Sequence, residues 1–189
     1  MSKLVMQEFM SLDGVVEDPG GQTEFEHGGW QRPFVDNDQI KHITAQAHAA
    51  QALVLGRKTY EEFVAAWPSR TGTNGLADRM NAMPKLVAST TTTSVEWEST
   101  LLEGDVTTAL AEHKRRDEGD LLLVGSISLA QGLLRHDLVD ELRIWVAPVV
   151  LGSGRRLFDE TLGAIALTLV HVRTTSTGIA VLNYERNGG

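Results

Sequence analysis

The stretch Leu121-Leu-Leu-Val-Gly-Ser-Ile-Ser-Leu-Ala-Gln-Gly-Leu-Leu134 decides how this chain is read. Four apolar residues, Leu121 to Val124, have the character of a buried strand. Gly125 and Ser126 break the strand period, and Leu129, Leu133 and Leu134 resume at helical spacing. A strand that passes through Gly-Ser into a helix aims the free N–H groups of the helix start at the turn. The helix dipole adds partial positive charge there, so an anion such as phosphate is favoured. At this single junction a tight turn without a ligand is the competing reading.

Outward from this stretch, helices and strands alternate. Before it, Lys3 to Ser11 reads as a first strand that ends in the turn Ser11-Leu-Asp-Gly14. Residues 17–33 hold four glycines, two prolines and several acids, with Phe25 and Trp30 among them. A loop of that length is usually functional, and its aromatic residues suit one that folds over something. Asp36 opens a helix to about Ala50, with Gln39 as its capping-box partner. Ala52 to Leu55 is a short buried strand. Gly56-Arg-Lys-Thr59 ends it and opens a helix from Thr59 to about Ala66, with a loop over 69–75. A helix from Leu76 to Met83 and a strand from Lys85 to Ala88 follow, the latter running into Ser89-Thr90. Residues 95–103 suit a short edge strand. Asp105 caps a helix to Arg116, which Gly119 closes in the left-handed conformation.

Beyond the opening stretch, strands dominate. Leu138 to Val150 is a long apolar strand with Pro148 near its end, and the apolar continuity of its 142–150 part suggests burial on both faces and a possible subunit interface. Residues 165–174 and 178–185 form a terminal hairpin. The pattern predicts a mixed sheet, parallel where helices cross over and antiparallel at the end.

Composition narrows the function. A length of 189 residues suits a single domain over 1–187, and 42% hydrophobic with 22% charged residues permits a packed core. No long uncharged apolar run suggests a membrane span. The absence of cysteine excludes disulfides, thiolate catalysis and zinc–thiolate sites, and it suits the cytoplasm. The six histidines show no metal-ligand spacing, so no metal is expected. A net charge of −8 argues against nucleic acid. One anionic small molecule is still compatible, provided a local basic cluster meets it.

Such a cluster can be located. The strands ending at Leu55, Ala88 and Val124 run into Gly56-Arg-Lys-Thr59, Ser89-Thr90 and Gly125-Ser-Ile-Ser128. In a parallel sheet these carboxyl ends share one edge, where α/β proteins bind ligands. Two cations at a helix start oppose the dipole, so Arg57 and Lys58 need a reason to be there. A phosphorylated dinucleotide supplies one. Asp13, beside Gly14, could orient a substrate or relay a proton. Arg155-Arg156, after a glycine turn, could reach a substrate phosphate, but reads more simply as a surface pair.

In this order, Ser11-Leu-Asp-Gly14, Val54-Leu-Gly-Arg-Lys-Thr-Tyr60 and Val124-Gly-Ser-Ile-Ser-Leu-Ala130 resemble motifs of the dihydrofolate reductase-like superfamily. Val139-Asp-Glu-Leu142 and Pro148-Val-Val-Leu-Gly-Ser-Gly154 resemble its branch related to the reductase domain of bacterial riboflavin biosynthesis, the RibD C-terminal domain. The resemblance implies a three-layer α/β fold: a central, mostly parallel mixed sheet of about eight strands, flanking helices and an antiparallel C-terminal hairpin. It implies an oxidoreductase that uses NADPH to reduce a small heterocycle of the 5-amino-6-(5-phosphoribosylamino)uracil or pterin kind, with a homodimer possible. An NADP(H)-binding protein with a regulatory role is the alternative. Carried over by residue, Gly56, Arg57, Lys58 and Thr59 match the segment at the adenosine end and its phosphate. Ser89 and Thr90 match a second adenosine-side loop, and Gly125, Ser126, Ile127 and Ser128 match the pyrophosphate turn. The loop 11–33, with Gly14, Phe25 and Trp30, matches the lid over nicotinamide and substrate. Two positions depart from the pattern. Ile40 falls near the place of the carboxylate that engages the pterin in folate reductases. Val124 stands where riboflavin-pathway reductases commonly carry a substrate-binding glutamate.

Overall fold

The computed structural model describes residues 1–70 and 75–187. The expected loop over 69–75 therefore lies partly outside the described residues. Eight strands form one sheet: β1 (Leu4–Ser11), β2 (Ala52–Gly56), β3 (Lys85–Ala88), β4 (Ser99–Leu101), β5 (Leu121–Val124), β6 (Glu141–Ala147), β7 (Leu167–Thr174) and β8 (Ala180–Arg186). Their spatial order is β4-β3-β2-β5-β1-β6-β8-β7. The pairs from β4 through β6 are parallel, and the hairpin β7–β8 joins β6 antiparallel. This is the mixed, mostly parallel α/β sheet that the alternating pattern and the resemblance led one to expect.

Among the described residues five α-helices cover the sheet: α1 (Asn37–Ala49), α2 (Arg57–Ala66), α3 (Leu76–Ala82), α4 (Val106–Arg116) and α5 (Ile127–Arg135). The two-residue period of β1 divides the core. Leu4 and Met6 pack with Leu110 of α4 and Leu133 of α5. Val5 packs on the other face with Ala47 of α1, Tyr60 of α2 and Met80 of α3. Among the described residues no helix is long and apolar enough to cross a membrane.

β1 also carries two buried polar residues. Glu8 shares the parity of Leu4 and Met6 and is almost fully buried, with no hydrogen-bond partner at Oε1. Desolvation raises its carboxyl well above the ordinary range. Gln7, on the opposite parity, is equally buried.

Several local expectations are corrected. The second helix begins at Arg57, not Thr59, so both cations lie in its first turn. Glu61, one helical turn on, offsets this by pairing with Arg57 at 2.9 Å. Asp117, not Gly119, is the left-handed residue that closes α4. The apolar run 138–150 yields a strand only over Glu141–Ala147. Its burial needs no subunit interface, because β1 and β8 flank it and Trp145 packs against Phe9 and His42. Asp36 does cap α1, accepting from Gln39 N at 2.7 Å. The reciprocal half of the capping box is absent, since the Gln39 side chain turns inward and its amide finds no partner.

Candidate functional site at the carboxyl ends of the strands

The neighbours β3, β2 and β5 run parallel, so Ala88, Gly56 and Val124 end on one edge. Side chains knit the turns that follow. Gly56 N donates to Ser126 Oγ at 2.8 Å, and Ser126 N donates to Thr59 Oγ1 at 3.0 Å. Gly125 and Ser126 both adopt left-handed backbone, with φ of 54° and 59°. This pair of residues swings the chain from β5 into α5 and sets its start beside that of α2. At the third strand end, Ser89 Oγ accepts from Thr91 N and Thr92 N and holds a tight turn.

The helix starts differ in a way that bears on ligands. α1 and α4 are capped by carboxylates, Asp36 accepting from Gln39 N and Asp105 from Thr108 N. α2 and α5 begin on Gly56 and Ser126 without a side-chain cap. The first N–H groups of a helix have no acceptor within it. Here two such sets lie side by side, open to the strand edge, with Arg57 half-exposed and Lys58 exposed next to them. This is a cradle for an anion. The close approach of Gly125 packs the two helix starts together, because a Cβ there would lie 3.2 Å from Thr59 Cγ2. Arg155 completes the positive surround. Its guanidinium donates to Ser128 Oγ at 2.8 Å from a turn 27 residues away. Arg155 is exposed, as a surface pair would be, and nothing local in the sequence signals its contact with Ser128.

The described geometry thus brings Gly56, Arg57, Lys58, Thr59, Gly125, Ser126, Ile127 and Ser128 together, with Ser89 and Thr90 at the neighbouring strand end. Thr59 is buried and acts on the turn, as the acceptor that fixes Ser126.

Asp13 and the loop residues have other surroundings. The Asp13 carboxylate accepts from Ser11 Oγ at 2.7 Å, Leu151 N at 3.1 Å and Gly152 N at 2.9 Å. These bonds, the one from Ser11 foremost, hold its pKa down at about 2. Such a group is unprotonated at neutral pH and suits a fixed acceptor that clasps two turns, not a proton donor. A lowered carboxylate pKa adds stability that is present above the unfolded value of 3.8 and lost as pH falls through about 2. Asp13→Asn is therefore expected to be less stable than wild type in urea at neutral pH. That deficit should shrink between pH 3.8 and about 2. A deficit that stays constant across this window would assign the effect to something other than the charge.

Trp30 is not free to stack on a ligand. It is buried against Trp145, Ile179 and Val181, and its Nε1 donates to Glu17 O at 2.8 Å. It fastens the loop to the body. Phe25 lies over Gly154 and Val15 and meets His27 edge-on at 5.5 Å. Gly14, with φ of 88°, closes the turn after β1.

Beside the strand edge, a cavity of about 210 Å³ lies between the sheet and helices α1 to α3. Phe9 of β1 and Val124 of β5 form part of its sheet wall, so it adjoins the Gly125 turn directly. Ile40, Gln31 and Val35 line the side formed by α1 and the long loop. Sequence reasoning did not connect Gln7 of β1, Gln31 of the loop or Gln39 of α1 with a cavity. The available signal was a glutamine within the apolar run of β1 and another three residues after a helix cap.

Comparisons with known proteins agree with this architecture. One solved structure, described as a putative riboflavin biosynthesis protein from Shewanella sp. PV-4, superposes with a TM-score of 0.77 at 22% identity over all of both chains. A second, a pyrimidine reductase-like protein from Corynebacterium diphtheriae, superposes with a TM-score of 0.70 at 13% identity, over 100% of this chain and 93% of the other. At such identities they speak for the fold. An uncharacterized protein of Bacillus subtilis (strain 168), YyaP, is 24% identical, covering 98% of this chain and 96% of its own. The profile of the RibD C-terminal domain matches residues 2–181. With nearly its whole length matched, the chain belongs to the RibD C-terminal domain family.

Proposed function

We propose that this protein is an NADPH-dependent reductase that delivers hydride to a small heterocycle. The observation that carries the reading is the pair of uncapped helix starts at Gly56 and Ser126, hydrogen-bonded to each other and flanked by Arg57, Lys58 and Arg155. That chemistry fits a pyrophosphate and an additional ribose phosphate. The N–H groups of α5 would face the pyrophosphate. Arg57 and Lys58 would engage the extra phosphate, with Ser89 and Thr90 on the adenosine side. When bound, the cofactor supplies the hydride; the protein supplies position and electrostatics. The apolar cavity beside Val124 would hold the acceptor and exclude water, with Gln31 and Val35 closing it from the long loop.

The family membership supports a reductase-like role, and relatives described in riboflavin biosynthesis and pyrimidine reduction are compatible with it. The reading is tested by titrating NADPH and NADH into the protein and following cofactor fluorescence. Saturable binding with preference for NADPH is the expected result. Absence of binding by either nucleotide would defeat the reading. NADPH binding without its consumption by any pterin, flavin precursor or quinonoid acceptor would favour a binding or regulatory protein.

A further inference from the structure

The cavity beside Val124 is a slot with a direction. α1 runs back from the strand edge, so Ile40, Ile43 and Ala47 line the slot at increasing depth. At 1.5 Å per residue these three span about 10 Å. The opposite wall crosses the neighbouring strands β1, β5 and β2, with Phe9, Leu122 and Leu53 among its side chains. The deep end is closed, since Leu53, Ala47, Leu122 and Met80 are at most 5% exposed. At the strand edge Val35 is 42% exposed, and Val124 stands one residue before the Gly125 turn. A ligand would enter there, beside the anion cradle.

The slot offers a ligand almost nothing polar. Among the described residues that line it there is no Asp, Glu, Lys, Arg or His, and nearly all the surface open to it is carbon. Glutamines contribute to the wall, but the unpaired amide atoms of Gln7, Gln31 and Gln39 are packed away with essentially no accessible surface. A charge or a hydroxyl carried to the deep end would therefore lose its water and gain no partner, which is unfavourable. Hydrocarbon, in contrast, gains by leaving water for such a wall. An apolar cavity of about 150 Å³ takes up benzene, and this one, at about 210 Å³, has room for somewhat more than one ring.

We infer that the slot takes an uncharged hydrocarbon ring system of naphthalene size, inserted from the strand edge, with the polar end of the same molecule left at the mouth beside the Gly125 turn. The inference rests on the slot being the acceptor side of the proposed reductase, and it names the class of acceptor: a reducible polar group or heterocycle joined to a hydrocarbon ring. A ring that is polar on every edge is a poor fit, because some of its polar groups would face the closed end.

The test needs no cofactor. 2-Naphthalenemethanol, 2,6-naphthalenedimethanol and benzyl alcohol are titrated calorimetrically into the full chain. The first has one polar end, the second has a polar group at both ends, and the third has a shorter hydrocarbon body. 2-Naphthalenemethanol should bind at least about tenfold tighter than either of the others, through the unpaired hydroxyl it avoids burying and the extra carbon it does bury. Ile43→Trp, which fills the slot from α1, should weaken its binding at least about tenfold and so separates the slot from non-specific uptake. The inference is overturned if the two naphthalenes bind equally, if 2-naphthalenemethanol does not bind, or if Ile43→Trp binds it undiminished. Should Ile43→Trp fail to fold, the wild-type comparison of the two naphthalenes decides alone. NADPH titration in parallel separates the two readings. NADPH binding with no preference between the naphthalenes sinks the acceptor class and leaves the reductase standing. A preference without NADPH binding upholds the ring slot and sinks the reductase.

Discussion

Replacing Arg57 with alanine should weaken NADPH binding roughly 10- to 100-fold and leave NADH binding almost unchanged. The estimate follows from the charge-assisted hydrogen bonds a guanidinium makes to a phosphate, worth about 1.5–3 kcal/mol, at about 1.4 kcal/mol per tenfold. NADH lacks the extra phosphate and so has little to lose. Arg57 is already paired with Glu61 at 2.9 Å on the same helix face. A ligand phosphate must therefore compete with that carboxylate. Glu61→Gln should move NADPH affinity the opposite way, toward tighter binding and a steeper dependence on salt. Fluorescence titration of both nucleotides against both variants checks the pair of effects. Equal losses for NADH and NADPH in Arg57→Ala would show that Arg57 supports the fold of the turn and does not read a phosphate.

Gly125→Val should have the larger structural effect, abolishing measurable NADPH binding and lowering stability by about 2–5 kcal/mol. Two causes add. Gly125 has φ of 54°, where a side chain costs about 1–2 kcal/mol. Its Cβ would lie 3.2 Å from Thr59 Cγ2 and 3.3 Å from Thr59 Oγ1, and relieving such overpacking costs about 1–3 kcal/mol. Thr59 cannot move away freely, because its Oγ1 accepts from Ser126 N. The displaced turn would pull the start of α5 out of line with that of α2. Urea denaturation and NADPH titration read the two effects separately. In the milder Gly125→Ala background, Thr59→Ser removes the nearer contact and should restore part of both. No rescue would place the damage in the backbone conformation alone.

The parts of this site that sequence could show are those set by local rules. The change of period at Gly125-Ser126 marked the junction of β5 and α5, and Asp36 and Asp105 announced the starts of α1 and α4 as side-chain caps do. The start of α2 lies two residues before Thr59, at Arg57, where Glu61 one turn on offsets a cation that the helix dipole disfavours. Gln39 looked like a capping partner because its spacing from Asp36 is right. Its side chain was drawn instead to a cavity wall made by β1 and the long loop, a tertiary effect with no local trace. Arg155 reached the site for the same kind of reason, across a turn joined to the loop by its N–H bond to Glu17. For Trp30 the sequence left open a ring that stacks on a ligand and one that anchors the loop, and the bond from its indole N–H to Glu17 O makes it an anchor.

The sheet order has a consequence for how the chain is made. β1 is synthesised first yet sits between β5 and β6, so its parallel neighbours arrive only with residues 121–124 and 141–147. At about 5–20 residues per second, the nascent strand waits on the order of ten seconds with both edges open. An uninterrupted apolar strand in that condition would recruit other chains. Glu8 interrupts it. In the emerging polypeptide its carboxylate is hydrated and charged, and a charge within an open strand disfavours edge-to-edge pairing. Once β5 and β6 close around the strand, burial drives Glu8 toward its neutral form. The residue that burdens the finished core is thus a charged one while the strand is still open.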